Sequence, residues 1–437
     1  MNANTATSFE RQSVAMPRAP QTIAETGLTE GLLVDLMLKI VFRQGLELPS
    51  DIARAISLSP RIVDDLIELA KSKQLLLLLG QPGANMAAEM RYQLTAKGKD
   101  WAQQALSQNS WTGAAPVPIE QFIAQIHAQS VKKESLSEDK LKRIFHDLVL
   151  TDELLNKVGP AVNSGQSILL YGPPGNGKSS ISEALRSAFS HLIYLPHALS
   201  IGSEVVVFFD SAIHEPVRET ESRQTGLRRQ VIADPRYVLC QRPHVITGGE
   251  LTLEKFDLVR NTTTGLYDAP LQMKASGGVL VIDDFGRQRQ APQSLINRLI
   301  VPLEAAQDHL ILETGRKIEI PFDSLVIFST NYEPRSLMDE AGLRRMRHKI
   351  LVDRPDRRSF VRIFLKAAAR HNLSVGEDIL AFLLFDLYGK NPTMRFNAFH
   401  GRFLIDQSHS ICMYRGIEPT LTPEILGQAW ENLVTAH

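Results

Sequence analysis

The sequence predicts an α/β fold built on buried parallel strands, and three stretches carry that reading. Apolar residues 167–171 run as a strand into the glycine-rich turn Gly172-Pro173-Pro174-Gly175-Asn176-Gly177-Lys178-Ser179, and helix-forming residues 180–189 follow. Residues 277–285 hold an apolar run that ends in Asp283 and Asp284. A further apolar run, 324–329, ends in Thr330 and Asn331. Continuous apolar strands are those of a parallel sheet covered on both faces, and such sheets bind ligands at their C-terminal tips.

Bulk properties narrow the function. A chain of 437 residues, 43% apolar and 22% charged, reads as soluble and globular, with two or three domains. Formal net charge is zero, so no global field draws the chain onto DNA or an anionic membrane, and any nucleic-acid role needs a local patch. Two cysteines, Cys240 and Cys412, point to a reducing compartment without a disulfide framework. Residues 1–27 lack the apolar core of a signal peptide, and no purely apolar run, 75–79 among them, is long enough to span a bilayer. These features lead to the expectation of a cytoplasmic protein with no membrane partner.

Taken in order, residues 1–27 are rich in Thr, Ala, Ser, Pro and Gln and read as a disordered tail. Helical periodicity begins at Leu28, with Leu32, Leu36 and Ile40 beside Leu33, Met37 and Val41. Short helices over 52–57 and 61–73 follow, then strands over 74–79 and 90–94 around a Gly/Pro loop at 81–83, then a helix to about 106. Helix-turn-helix followed by a two-stranded ribbon is the arrangement of a winged helix, and residues 92–102 resemble the end of such domains, giving a module over 28–108. In its second helix Arg61, Lys71 and Lys73 are offset by Asp64, Asp65 and Glu68, so docking of protein is favoured over DNA. Residues 109–119, with Gly113, Pro116 and Pro118, read as a linker, and a nucleotide-binding domain is expected over 120–353. Within it the stretch 196–275 exceeds what a minimal module needs and reads as an inserted β-rich element. Its arginine-rich part, 218–229 with Arg223, Arg228 and Arg229, is a mobile loop and candidate substrate contact on this reading. His197, His214 and His244 show no zinc-ligand spacing.

The turn at 172–179 satisfies G-x-x-x-x-G-K-[ST], the phosphate-cradling P-loop. Gly172, Gly175 and Gly177 let the backbone close on a polyphosphate, and the N–H groups of the loop and helix start, through Ser180, supply the positive end of a dipole. Lys178 would reach the β- and γ-phosphates and Ser179 would ligand Mg²⁺. Asp283 is placed to hold the hydration shell of Mg²⁺, and Asp284 to polarise the attacking water. Asn331, on a strand between these two sites, can orient that water.

In this order the motifs resemble those of the AAA+ ATPase superfamily, over roughly residues 120–435. The resemblance implies a doubly wound α/β sheet, a small helical lid over 354–437, ATP and Mg²⁺ as cofactors, and a homo-oligomeric ring, most often hexameric. Residues 308–321 look like a hairpin just before Asn331, as in the pre-sensor-1 hairpin subgroup of MoxR-type chaperones, magnesium chelatases, replicative helicases and enhancer-binding activators. The resemblance to the superfamily makes Arg345, then Arg344, then Arg347 candidates for a finger entering the neighbouring subunit's site. It makes Arg402, or else Arg395, the lid arginine, and Val149 and Leu150 the apolar contact for adenine. Where many relatives have Glu, this chain has Asp284, one methylene shorter, so slow hydrolysis or a nucleotide-gated scaffold stays open. The function implied is a ring motor that remodels a protein client, with a DNA-associated ATPase or transcription regulator as the alternative.

Overall fold

The computed structural model describes residues 15–80, 89–217, 233–391 and 393–435. At its centre lies a five-stranded parallel sheet of β1 (Ile168–Tyr171), β2 (His244–Thr247), β3 (Val279–Ile282), β4 (Leu325–Thr330) and β5 (His348–Leu351), in the order β5-β1-β4-β3-β2. Alternate residues point to opposite faces. Ile168, Leu170, Val279, Val281, Leu325 and Ile327 therefore join one core, with Val158, Val162, Ile181 and Leu185 from helices on that side. Leu169, Leu280, Ile282, Val326 and Phe328 join the other, under Leu295, Ile296 and Leu299 of helix Pro292–Ala305. Complete burial of each such side chain contributes about 1.5–3 kcal/mol, which fixes register because a one-residue slip would exchange the two faces.

A second, β-rich body stands beside this sheet. Its main sheet runs in the spatial order Val259–Asn261, Leu266–Asp268, Glu204–Val207, Ala198–Ile201, Val117–Pro118. The antiparallel pair Ile193–Pro196 and Tyr237–Cys240 packs into the same core. So does the hairpin Gln307–Ile311/Lys317–Pro321, through Leu310, Ile318 and Ile320. Two expectations about the insertion are corrected here. Strand β2 belongs to the parallel sheet, because Val279 to Ile282 pair with His244 to Thr247 and leave no room for it elsewhere. Val117 and helix Ile119–Ala128 belong to the β-rich body, since Val117, Phe122 and Ile126 are buried in its core. Arg223, Arg228 and Arg229 lie outside the described residues.

Ahead of both bodies, helices Glu30–Gln44, Pro49–Ile56 and Pro60–Ser72, the antiparallel ribbon Leu76–Gly80/Arg91–Leu94 and helix Ala96–Gln108 enclose a core of Leu33, Met37, Ile40, Ile52, Ile56, Ile62 and Leu66. Thr29 and Gly45 cap the first of these helices. The residues expected as a linker are packed: Ala115 N–H donates to Ile56 O at 2.7 Å, and Ala115 and Val117 are buried. Residues 15–27, expected as tail, also take a defined path, with a helical turn Ile23–Thr26 and a bridge from Arg18 to Ala233; residues 1–14 and the ribbon tip at 81–83 lie outside the described residues. Arg236 ties these parts together. Buried with Asp234, its guanidinium also reaches Thr26 O at 3.1 Å and Gln121 Oε1 at 3.1 Å.

C-terminal to β5 the chain is helical, and Phe360, Phe364, Leu383, Tyr388, Leu404, Ile405, Leu426 and Trp430 form one core. Among the described residues, no helix is long and apolar enough to cross a membrane.

Candidate active site

The tips of β1, β3 and β4 face a cavity of about 520 Å³, closed on its far side by helices α2 (Arg357–Arg370) and α3 (Ala398–Arg415). Helix α1 (Lys178–Ala184) starts at its floor. Gly177, the residue before α1, has φ 91°, and Gly175 has φ 76°, both in the left-handed region that a side chain disfavours. Gly172, at φ 139°, could not accept a Cβ, which would stand 2.5 Å from Val352 O.

Lys178 is buried, and its ammonium donates to Gly172 O at 3.0 Å and Pro173 O at 2.9 Å. An ammonium has three N–H groups, so one is left to meet an anion. Burial pushes its pKa down, against the opposing pull of Asp283 and Asp284. Among the described residues, no protein acceptor meets the backbone N–H groups of Gly175, Asn176, Gly177, Lys178 or Ser179, as expected for the start of a helix facing a phosphate.

Ser179 Oγ donates to Asp283 Oδ2 at 2.9 Å, across 104 positions of sequence. This pair of hard oxygens suits Mg²⁺, which is held by one or two protein ligands and completes its shell with phosphate and water. Asp284 has φ 48°, a conformation Asp tolerates better than most residues. Its N–H donates to Asp283 Oδ1 at 2.9 Å, and Phe285 N–H donates to Ser329 O at 2.7 Å, locking the turn between β3 and β4. That twist presents the Asp284 carboxylate to Asn331, whose Nδ2 is 3.5 Å from Oδ1. Gln288, which sequence reasoning missed, is buried and holds the same turn, donating to Gly248, Asp283 and Asp284 carbonyls and accepting from Gly286 N–H.

Of the residues expected at the site, Val149, Leu150, Pro174 to Ser180, Asp283, Asp284, Asn331 and Arg402 line this one cavity. Gly172 and Pro173 stand behind it with their carbonyls on Lys178. Leu148, Val149 and Leu150 face Ile363 and Ala367 of α2, forming an apolar end. Arg402 reaches Asp406 at 3.5 Å, and Lys366, Arg370 and His371 join the lining without having been singled out from sequence. Helical spacing would have put Lys366 and Arg370 on one face of α2, but nothing local said which way that face turns. Arg395 lies elsewhere, in a separate groove with Arg354, Arg357 and Phe385. Neither Arg344 nor Arg345 lines the cavity of its own chain. Arg345 pairs with Glu304 at 3.0 Å and donates to Ala341 O at 2.8 Å, whereas the Arg344 side chain is 81% exposed.

Residues 356–432, the C-terminal helices, match a family described as Domain of unknown function (DUF8689). A search of curated proteins finds no match to the chain. Among solved structures the chain is similar to NtrX from Brucella abortus, at 13% identity and a TM-score of 0.37, over 84% of this chain and 61% of that one. It is similar also to RuvB of Thermotoga maritima, at 11% identity and a TM-score of 0.36, over 69% of this chain and 73% of that one. A further Thermotoga maritima RuvB structure, titled a Holliday junction branch migration motor, gives 13% identity and a TM-score of 0.35, over 69% and 73%. The chain thus spans less than two thirds of the NtrX length.

Proposed function

We propose that this chain is a Mg-ATP-dependent ATPase of the AAA+ type, working as a homo-oligomeric ring, hexameric in the simplest form, that remodels a protein partner. The observation that carries the reading is the Ser179–Asp283 contact at 2.9 Å, made at the mouth of the loop whose lysine and free N–H groups suit a triphosphate. Ser179 and Asp283 would hold Mg²⁺, which would supply positive charge against that developing on the phosphates. Lys178 holds the loop closed and offers its remaining N–H to the phosphates. Asp284 takes the proton of the attacking water, and Asn331 orients that water from the neighbouring strand tip. Val149, Leu150 and Ile363 suit the adenine ring at the apolar end. An exposed arginine from a neighbouring copy completes the site, and Arg344, 81% exposed and held only by a 3.7 Å surface pair with Glu340, suits this better than the less exposed Arg345, which pairs with Glu304 at 3.0 Å.

The N-terminal module reads as a winged helix that docks protein. Its ribbon presents Leu77, Leu78 and Leu79, each more than 40% exposed, where a phosphate-binding wing needs cations. On helix Pro60–Ser72, Lys71 is paired with Glu68 at 2.7 Å. A salt-dependent gel shift checks this: only weak, sequence-indifferent retention is expected, and affinity kept at moderate salt would favour the DNA reading instead. The enzyme reading is tested by phosphate release. Wild type should turn over ATP, and both Lys178→Ala and Asp284→Asn should slow it by about a hundredfold or more. Absence of turnover in wild type that still binds Mg-ATP would leave a nucleotide-gated scaffold.

A further inference from the structure

We infer that helix α3 takes its N-terminal cap from the phosphate loop, so that Asn176 and Asn397 are positioning residues coupling nucleotide binding to the C-terminal helices. The inference rests on the nucleotide reading of the site. A helix begins with N–H groups that need acceptors, ordinarily supplied by the side chain of the residue before it. At α3 that residue is Asn397, and its side chain makes no such bond. The loop supplies the acceptors instead. Ala398 N–H donates to Asn176 Oδ1 at 3.1 Å, and Phe399 N–H donates to Gly175 O at 2.9 Å. Asn397 reaches the other way, donating from Nδ2 to Pro174 O at 3.0 Å.

Both asparagines are more than nine-tenths buried, so these bonds face little competition from water. The fit is close: a Cβ on Gly175 would stand 2.4 Å from Phe399 Cδ1 and 3.0 Å from Asn397 Oδ1. With Lys178 on the carbonyls of Gly172 and Pro173, every loop carbonyl from 172 to 175 is engaged by a donor of the protein itself. That arrangement is what leaves the loop N–H groups for phosphate. The clasp therefore preorganises the anion cradle from the C-terminal side. By linkage, whatever strengthens the loop's hold on phosphate strengthens the cap on α3, and a partner that tilts α3 loosens the nucleotide. Arg402 sits one turn along the same helix, so it moves with the cap.

The test is hydrogen exchange of peptides covering 398–403 in the full chain, with and without Mg-ATP, alongside calorimetric affinities. Loss of a cap corresponds to about a fivefold change in a local equilibrium. Asn176→Ala should therefore speed exchange at the start of α3 about fivefold without nucleotide and weaken Mg-ATP by a similar factor. Asn397→Ala, which spares both N–H bonds of α3, should weaken Mg-ATP with a smaller exchange effect. Asn176→Asp keeps an acceptor for Ala398 N–H and adds charge beside the phosphates, so it should restore slow exchange while weakening Mg-ATP further. Unchanged exchange in Asn176→Ala overturns the cap. Faster exchange with wild-type affinity overturns the coupling. Wild type that takes up no nucleotide, with the exchange difference intact, removes the reading of the site and leaves the cap standing.

Discussion

Replacing Lys178 by alanine separates the site's binding chemistry from its fold. Two of the lysine's three N–H groups are committed to Gly172 O and Pro173 O, so the substitution removes one charge-assisted contact to phosphate together with the brace on the loop. Hydrogen bonds to charged groups are worth about 1.5–3 kcal/mol, and this buried contact falls at the upper end. A loss of about 3 kcal/mol is roughly a hundredfold in Kd. At a ligand concentration of about 100 wild-type Kd, nucleotide stabilises the wild type by about 2.7 kcal/mol; the same concentration would stabilise the variant by only about 0.4 kcal/mol. Without nucleotide the two proteins should melt close together. Burial already disfavours the ammonium, so its removal relieves desolvation while leaving two loop carbonyls and the two aspartates without their cation. The assay is thermal melting at matched Mg-ATP, with calorimetry for Kd. A full nucleotide-induced shift in Lys178→Ala would refute the phosphate role of this loop, as would the lack of any shift in wild type.

Three further outcomes follow from the geometry. Asp284→Asn should keep Mg-ATP affinity within a few fold and reduce phosphate release by about 10²–10⁴, the range of general base catalysis, as read in a single-turnover assay. Arg236→Met should cost about 3–5 kcal/mol in urea denaturation, because it strands the buried Asp234 carboxylate; the double change with Asp234→Leu should recover part of that loss. Lys39, 4% exposed, has its pKa lowered to about 8, chiefly by burial. Between about pH 8 and the ordinary lysine value the unfolded chain binds a proton that the folded one does not, so stability rises with pH across that window and the cost is fully present below it. Urea midpoints at pH 8 and pH 10 should show this rise, and Lys39→Met should flatten it.

What could be read from the sequence was whatever chemistry forces onto contiguous residues. The loop at 172–179 needs its glycines, lysine and serine in fixed order, so its strand and helix were legible without any partner. Strand β3 was legible because a strand buried on both faces has to be apolar throughout. The spread of the β-rich body was hidden, since Val117, Phe122, Val206 and Ile318 meet only after two hundred positions of chain have folded. Strand β2 was misplaced for a similar reason. His244-Val245-Ile246-Thr247 carries no tip carboxylate, and its pairing with β3 is a matter of topology. Gln288, Asn176 and Asn397 act through backbone groups, and an amide that caps another segment leaves no periodic trace.

The charge of the cavity bears on the proposal that a neighbouring copy completes the site. Its lining carries Lys178, Lys366, Arg370 and Arg402 against Asp147, Asp283, Asp284 and Asp406, four of each sign. Such a pocket is formally balanced before any nucleotide enters, and two of its cations already have partners in the chain: Arg402 is paired with Asp406, and Lys366 donates to His146 O. Mg-ATP adds net negative charge to a partly desolvated space, and uncompensated charge there is costly. Movement of α2 and α3 can reorient the cations present but cannot add to them. On the proposed ring a further cation would come from a neighbouring copy, and Arg344, exposed at the end of helix Glu340–Arg345 and outside the lining of its own chain's cavity, is the proposed source.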